Sequence, residues 1–100
     1  MTPTFASHEP FLSMPPVLIY TRPMCPYCMR ALALLRRKGV AYTEIDDAAF
    51  DAAKKREMVQ KAGGRSTFPQ IFIGERHVGG CDEMMALERS GELDKLLAAA

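Results

Sequence analysis

One hundred residues, 48% of them hydrophobic and 25% charged, make one small domain whose core forms without help from size. The 13 basic side chains stand against 12 acidic ones, and a formal net charge of +1 offers no electrostatic case for binding nucleic acid or a membrane surface. Three cysteines cannot all pair within one chain, and no apolar run approaches the roughly 18 residues of a membrane span, so a disulfide scaffold and a transmembrane protein are both poor readings.

Residues 1–16 read as an N-terminal extension and residues 17–100 as the folded domain. Within the extension, Met1 to Ser13 mixes Thr, Ser, His, Glu and two prolines without sustained periodicity, enough for a short helical turn at most. It lacks the basic start and apolar core of a signal peptide, and the chain is expected to be soluble and cytoplasmic. Met14 is an alternative start, and His8 reads as a solvated surface residue.

The apolar run Val17-Leu18-Ile19-Tyr20 predicts a buried strand. It leads directly into Thr21-Arg22-Pro23-Met24-Cys25-Pro26-Tyr27-Cys28, where two thiols stand two residues apart and Pro26 suits the first position of a helix. Cys25 is therefore expected at a strand-to-helix turn. There the unpaired amides of the first turn, the positive end of the helix dipole and nearby Arg22 all favour a thiolate over a thiol. Cys25 reads as a nucleophile. Cys28, nearly one turn further round, reads as a less exposed resolving thiol within disulfide reach.

Cys28, Ala31, Leu32 and Leu35 then mark the apolar side of a helix whose last turn carries Arg36, Arg37 and Lys38 and which Gly39 closes. This basic cluster reads as a solvated helix end. Val40 to Ile45 resumes a strand pattern, broken by Asp46-Asp47. A second helix is expected over Ala48 to Ala62, with Phe50, Ala53, Met58, Val59 and Ala62 as its buried stripe and Gly63-Gly64 as its end. Gln70-Ile71-Phe72-Ile73 and Arg76-His77-Val78-Gly79 flank Gly74-Glu75 and predict an antiparallel hairpin. Pro69 stands at the head of its first strand, where a cis bond is possible. Cys81 to about Glu88 and Glu92 to Ala98 predict two closing helices, the first with acidic residues in its opening turn. The order strand, helix, strand, helix, hairpin, helix implies an α/β domain. Its economical layout is a four-stranded mixed sheet with helices on both faces, which is thioredoxin-like.

Cys25-Pro26-Tyr27-Cys28, Thr67-Phe68-Pro69 before a strand, and Gly79-Gly80-Cys81-Asp82 together resemble a dithiol glutaredoxin of the bacterial glutaredoxin 3 group, over roughly Val17 to Leu97. Pro-Tyr between the thiols differs from the Gly-Pro of thioredoxins, and no tryptophan precedes Cys25. The resemblance implies a glutathione-dependent thiol–disulfide oxidoreductase with glutathione as co-substrate, no metal and no other cofactor. It also implies a monomer acting on disulfide-bearing or glutathionylated client proteins. Cys25 would attack a glutathione mixed disulfide and Cys28 would resolve protein disulfides. Arg22 stands where the family has lysine, and Tyr27 and Thr67 would line the glutathione groove. Phe68, held by Pro69, would pair its backbone with the cysteine of glutathione. Gly80, Cys81 and Asp82 would meet the γ-glutamyl end, with the Asp82 carboxylate on the amine. Arg56 and Arg65 are two candidates for the glycine carboxylate. Phe68 departs from the valine usual at its position, and its larger ring is expected to narrow or reshape the groove.

Two readings of Cys81 stand: a small semi-buried residue at a helix start, or a regulatory thiol at the groove rim. A zinc site from Cys25, Cys28, Cys81 and His77 lacks a second close pair, and His77 reads as an exposed strand residue. Two other functions compete with the enzyme. One is an iron–sulfur carrier holding a cluster through the nucleophilic cysteine and glutathione, which Pro26 disfavours. The other is a thioredoxin-like donor fed by a flavin reductase.

Overall fold

In a computed structural model, which describes residues 14–98, the chain runs β1 (Val17–Tyr20), α1 (Pro26–Lys38), β2 (Thr43–Ile45), α2 (Ala52–Lys61), β3 (Gln70–Ile73), β4 (Arg76–Gly79), α3 (Cys81–Ser90) and α4 (Glu92–Ala98). Most of the expected N-terminal extension, His8 included, lies outside the described residues. The sheet order is β2-β1-β3-β4. β1 pairs parallel to β2, Leu18 opposite Thr43, and antiparallel to β3, Tyr20 opposite Gln70. β3 and β4 form the hairpin, with a register shift between Ile71 and Phe72. This is the thioredoxin-like layout expected from the order of elements.

The alternation of β-strand side chains divides the core in two. Val17 and Ile19 of β1, with Ile71 and Ile73 of β3, meet Ala31, Leu34 and Leu35 of α1, Met84 of α3, and Leu93 and Leu97 of α4. Tyr20 and Phe72, from the alternate positions, meet Ala48, Met58 and Ala62 on the other face, with Phe68 packed alongside. Three helices therefore cover one face and α2 the other. The basic end of α1 is tied down: Lys38 Nζ lies 2.7 Å from Glu88 of α3 and 2.8 Å from Asp94 of α4.

Two sequence expectations change at element boundaries. β2 begins at Thr43 rather than Val40, because Val40 and Tyr42 turn inward to pack half-buried against the larger core. α2 begins at Ala52 rather than Ala48: Asp51 is a preferred N-cap and accepts from the Lys54 amide at 3.0 Å. Residues 48–50 form a turn instead, closed by the Phe50 amide on the Asp47 carbonyl at 3.0 Å. Within the expected apolar stripe, Met58 and Ala62 are buried and Val59 half-buried, whereas Ala53 is exposed and Phe50 is 77% exposed. Phe50 is not a core residue.

Candidate active site

β1, the central strand that hydrogen-bonds to both β2 and β3, delivers the chain through Thr21–Met24 to Cys25. Thr21 is buried and donates from Oγ1 to Glu44 at 2.7 Å, anchoring the exit of the strand. Met24 takes a left-handed conformation, φ +54, and stands 93% exposed immediately before the cysteine. That turn sets Cys25 as the N-cap of α1, with Pro26 at the first helical position where its missing N–H costs nothing.

Cys25 and Cys28 are joined as a disulfide, with Cα atoms 5.2 Å apart. Cys25 Sγ accepts the Cys28 amide at 3.2 Å and lies 4.0 Å from the Phe68 carbonyl oxygen. The expected difference in exposure between the two cysteines is absent: both are 2% exposed, because Cys25 Sγ is drawn inward between the Cys28 amide and the Phe68 carbonyl. Tyr27 projects outward, half-exposed, with the Arg30 guanidinium 5.1 Å from its ring centroid, a cation–π contact.

A groove of about 140 Å³ adjoins this pair, lined by Tyr27, Arg65, Thr67, Phe68, Pro69, Gly80, Cys81, Asp82 and Glu83. Eight of these nine, all but Glu83, are positions singled out in the sequence. Phe68-Pro69 is a cis peptide. Phe68 lines the groove and packs, half-buried, against the smaller core. Arg22 lies outside the groove lining, exposed, with Nη1 donating to the Pro23 carbonyl at 3.3 Å. Of the two arginines considered together, Arg65 lines the groove and Arg56 is an exposed residue of α2 that does not.

Glu83, which the sequence reading missed, holds the groove's far wall. Its Oε1 accepts the Gly80 amide at 2.6 Å and lies 3.7 Å from Arg65 Nη2. The Gly80 N–H, with Arg65 beyond it, keeps the Glu83 carboxyl below the usual carboxylate range. Glutamate three residues after a helix N-cap is a capping-box signal, and it was available in Gly80-Cys81-Asp82-Glu83. With the Gly80 amide already bonded to Glu83, Cys81 and Asp82 open α3 in the groove lining, at positions whose amides have no intrahelical acceptor. The close approach of Arg65 and Glu83 to the backbone requires Gly79: a Cβ there would stand 3.1 Å from Arg65 Nη1 and from Glu83 Oε1.

Cys81 is a free thiol, buried in the larger core, and that burial pushes its thiol above the ordinary value of 9.0. His77 is half-buried rather than exposed and stacked 4.9 Å from the Phe72 ring, and burial, with Arg65 nearby, lowers its pKa from the ordinary imidazole value. Among the described residues no three His, Cys, Asp or Glu side chains converge as metal ligands, and no helix is long and apolar enough to cross a membrane.

The arrangement supports exchange between the Cys25–Cys28 pair and a thiol or disulfide laid along the groove. The family model described as glutaredoxin matches residues 17–78. A glutaredoxin of Pseudomonas aeruginosa is 55% identical over 86 residues, 86% of this chain and 100% of that protein. Glutaredoxin 3 of Escherichia coli K12 is 52% identical over 81 residues, 81% of this chain and 95% of that protein. The crystal structure of a buckwheat glutaredoxin–glutathione complex superposes with a TM-score of 0.73 at 29% identity, covering 96% of this chain and 91% of that one. On a family match spanning more than half the chain, and on relatives more than half identical to it, the chain belongs to the glutaredoxin family of thiol–disulfide oxidoreductases.

Proposed function

We propose that the enzyme is glutathione-dependent, reducing protein disulfides and glutathione mixed disulfides with glutathione as co-substrate. The observation that carries this reading is the groove beside Cys25, which offers a backbone strip at Phe68, two helix-start amides at Cys81 and Asp82, a carboxylate at Asp82 and a guanidinium at Arg65. That set matches a small peptide bearing a thiol, an amine and two carboxylates. The likeness to a glutaredoxin–glutathione complex supports the same ligand class. In this assignment the Phe68 backbone pairs with the cysteine of glutathione, the Cys81 and Asp82 amides take its γ-glutamyl carboxylate, Asp82 takes its amine and Arg65 its glycine carboxylate. Tyr27, Thr67, Pro69 and Gly80 shape the walls, and Arg22 adds positive charge at the mouth.

In the reduced protein the Cys28 amide and the start of α1 favour the Cys25 thiolate. The thiolate attacks the glutathione sulfur of a mixed disulfide. A Cys25–glutathione bond forms, and the client leaves as a thiolate that takes a proton from water. A second glutathione thiolate attacks the bound glutathione sulfur, releasing glutathione disulfide and the Cys25 thiolate. For a protein disulfide, Cys25 attacks one client sulfur, Cys28 attacks Cys25 Sγ and frees the second client thiol. Two glutathione molecules then reduce the Cys25–Cys28 bond. The buried unpaired thiol of Cys81 is consistent with a reducing compartment, and we assign the protein to the cytoplasm.

The test is NADPH consumption coupled through glutathione reductase, with glutathione and a glutathionylated peptide. Activity lost in Cys25→Ser and retained in Cys28→Ser is the expected result. An inert parent protein sinks glutathione dependence.

A further inference from the structure

Gln70 and His77 lie outside the groove, yet they are wired to its wall. Gln70 opens β3 immediately after Pro69, and its side chain is fully buried. Its Nε2 donates to the Thr67 carbonyl at 3.0 Å and to Thr67 Oγ1 at 3.1 Å. A carbonyl only accepts, so the Gln70 amide has one orientation, with Oε1 turned away from Thr67. Oε1 meets His77 Nε2 at 2.6 Å, which makes His77 the donor and fixes its tautomer with the proton on Nε2. The pair is a diagonal across the β3–β4 hairpin: His77 stands opposite Phe72, and Gln70 lies two residues along the same strand face. Stacking of the His77 ring on Phe72 holds the donor in place.

The chain of contacts therefore runs from His77 to Gln70, from Gln70 to both acceptors of Thr67, and through the Thr67–Phe68–Pro69 backbone to a carbonyl 4.0 Å from Cys25 Sγ. We propose that Gln70 and His77 are positioning residues for disulfide exchange: they fix the Thr67–Phe68–Pro69 strip at the separation from Cys25 at which a substrate seated along it presents its sulfur to the nucleophile. The proposal rests on the assignment of that strip as the substrate's backbone partner. Its logic is geometric, since a small misplacement of a reacting sulfur is costly even where the nucleophile itself is intact.

The experiment compares the full-length wild type with His77→Phe, His77→Gln and Gln70→Met. His77→Phe keeps the stacked ring and removes the donor, and His77→Gln keeps an N–H at the equivalent reach. Gln70→Met keeps the volume and removes all three bonds. Three rates are measured on reduced protein: alkylation of Cys25 by iodoacetamide, which needs no strip; glutathione-driven turnover of a glutathionylated peptide; and dithiothreitol-driven reduction of a peptide disulfide, which needs no glutathione. Losing one buried hydrogen bond predicts a fall of about tenfold in kcat/KM for His77→Phe, and the loss of all three predicts at least as large a fall for Gln70→Met, in both exchange assays. Alkylation stays within about twofold of wild type, and His77→Gln recovers most of the loss, as a retained hydrogen bond requires. Exchange equal to wild type in His77→Phe overturns the proposal, and so does a parallel fall in alkylation, which marks a purely structural role. A wild type that reduces the peptide disulfide but ignores the glutathionylated peptide overturns glutathione dependence instead. The variant-to-parent ratio on the peptide disulfide then decides the positioning role by itself.

Discussion

Substituting Gly79 by alanine separates backbone strain from damage to the groove. Gly79 ends β4 at φ +112, and an L side chain in such a sparsely populated region costs about 1–3 kcal/mol. The added methyl also stands 3.1 Å from Arg65 Nη1 and 3.1 Å from Cγ and Oε1 of Glu83. Both side chains are flexible and can swing away, although Cγ of Glu83 moves only with a change of rotamer. Swinging gives up the Glu83–Gly80 hydrogen bond, about 0.5–1.5 kcal/mol, while the half-exposed Arg65–Glu83 pair adds little. The expected total is about 2–4 kcal/mol, or roughly 10–20 °C in the melting temperature of a domain this size. Gly39→Ala is the control: φ is +71 but no atom lies within 4 Å of the new methyl, so only strain of about 1–2 kcal/mol applies. Urea unfolding should place Gly79→Ala at least about 1 kcal/mol below Gly39→Ala. In the coupled assay Gly79→Ala alone should lose kcat/KM for a glutathionylated peptide. Equal destabilisation with unchanged turnover in both would refute the claim that Gly79 exists to admit Arg65 and Glu83.

Burial of Cys81 above its ordinary value of 9.0 predicts that iodoacetamide near neutral pH modifies Cys25 in the reduced protein and leaves Cys81 unmodified until urea is added. Peptide mass mapping reads this directly, and rapid native labelling of Cys81 would revive a regulatory role. The Glu83 carboxyl sits below its ordinary 4.5, so its contribution to stability is present above that value and fades as pH falls through the folded value. The advantage of wild type over Glu83→Gln should be flat at neutral pH and shrink below 4.5, and a difference insensitive to pH contradicts the assigned bond. Phe50→Ser should change unfolding free energy by no more than about 0.5 kcal/mol, since Phe50 is 77% exposed. Met58→Ala, at a fully buried position, should cost about 2–5 kcal/mol, and the reverse ranking would restore Phe50 to the core.

The readable parts of the chain were those governed by local chemistry. Pro26 and Gly39 mark the two ends of α1, Gly74-Glu75 marks the hairpin, and Pro69 is cis as its place at the head of a strand allowed. The Cys25-x-x-Cys28 spacing and the two later motifs converged on one groove, although they come from three separate segments. What sequence periodicity missed was decided by competition between neighbours. A helical stripe through Phe50 and Ala53 yields to a strong cap at Asp51, which starts the helix later and turns both residues to solvent. Arg56 and Arg65 could not be ranked, because only the fold places one of them beside Gly79 and Glu83. The Gln70–His77 bond was not legible at all. It depends on the hairpin register, which slips by a residue between Ile71 and Phe72.

The sulfur that performs the chemistry is also the acceptor that begins a helix, and this bears on how an inactive form of the protein is made. Alanine at position 25 would abolish exchange and at the same time strip α1 of its side-chain cap, a loss of order 1 kcal/mol at a helix that carries much of the larger core. Serine abolishes exchange while keeping an oxygen in place for the Cys28 amide. Two variants with the same null activity would thus differ in the firmness of the helix start against which a client docks. The serine protein is the more faithful decoy for trapping clients or measuring glutathione affinity.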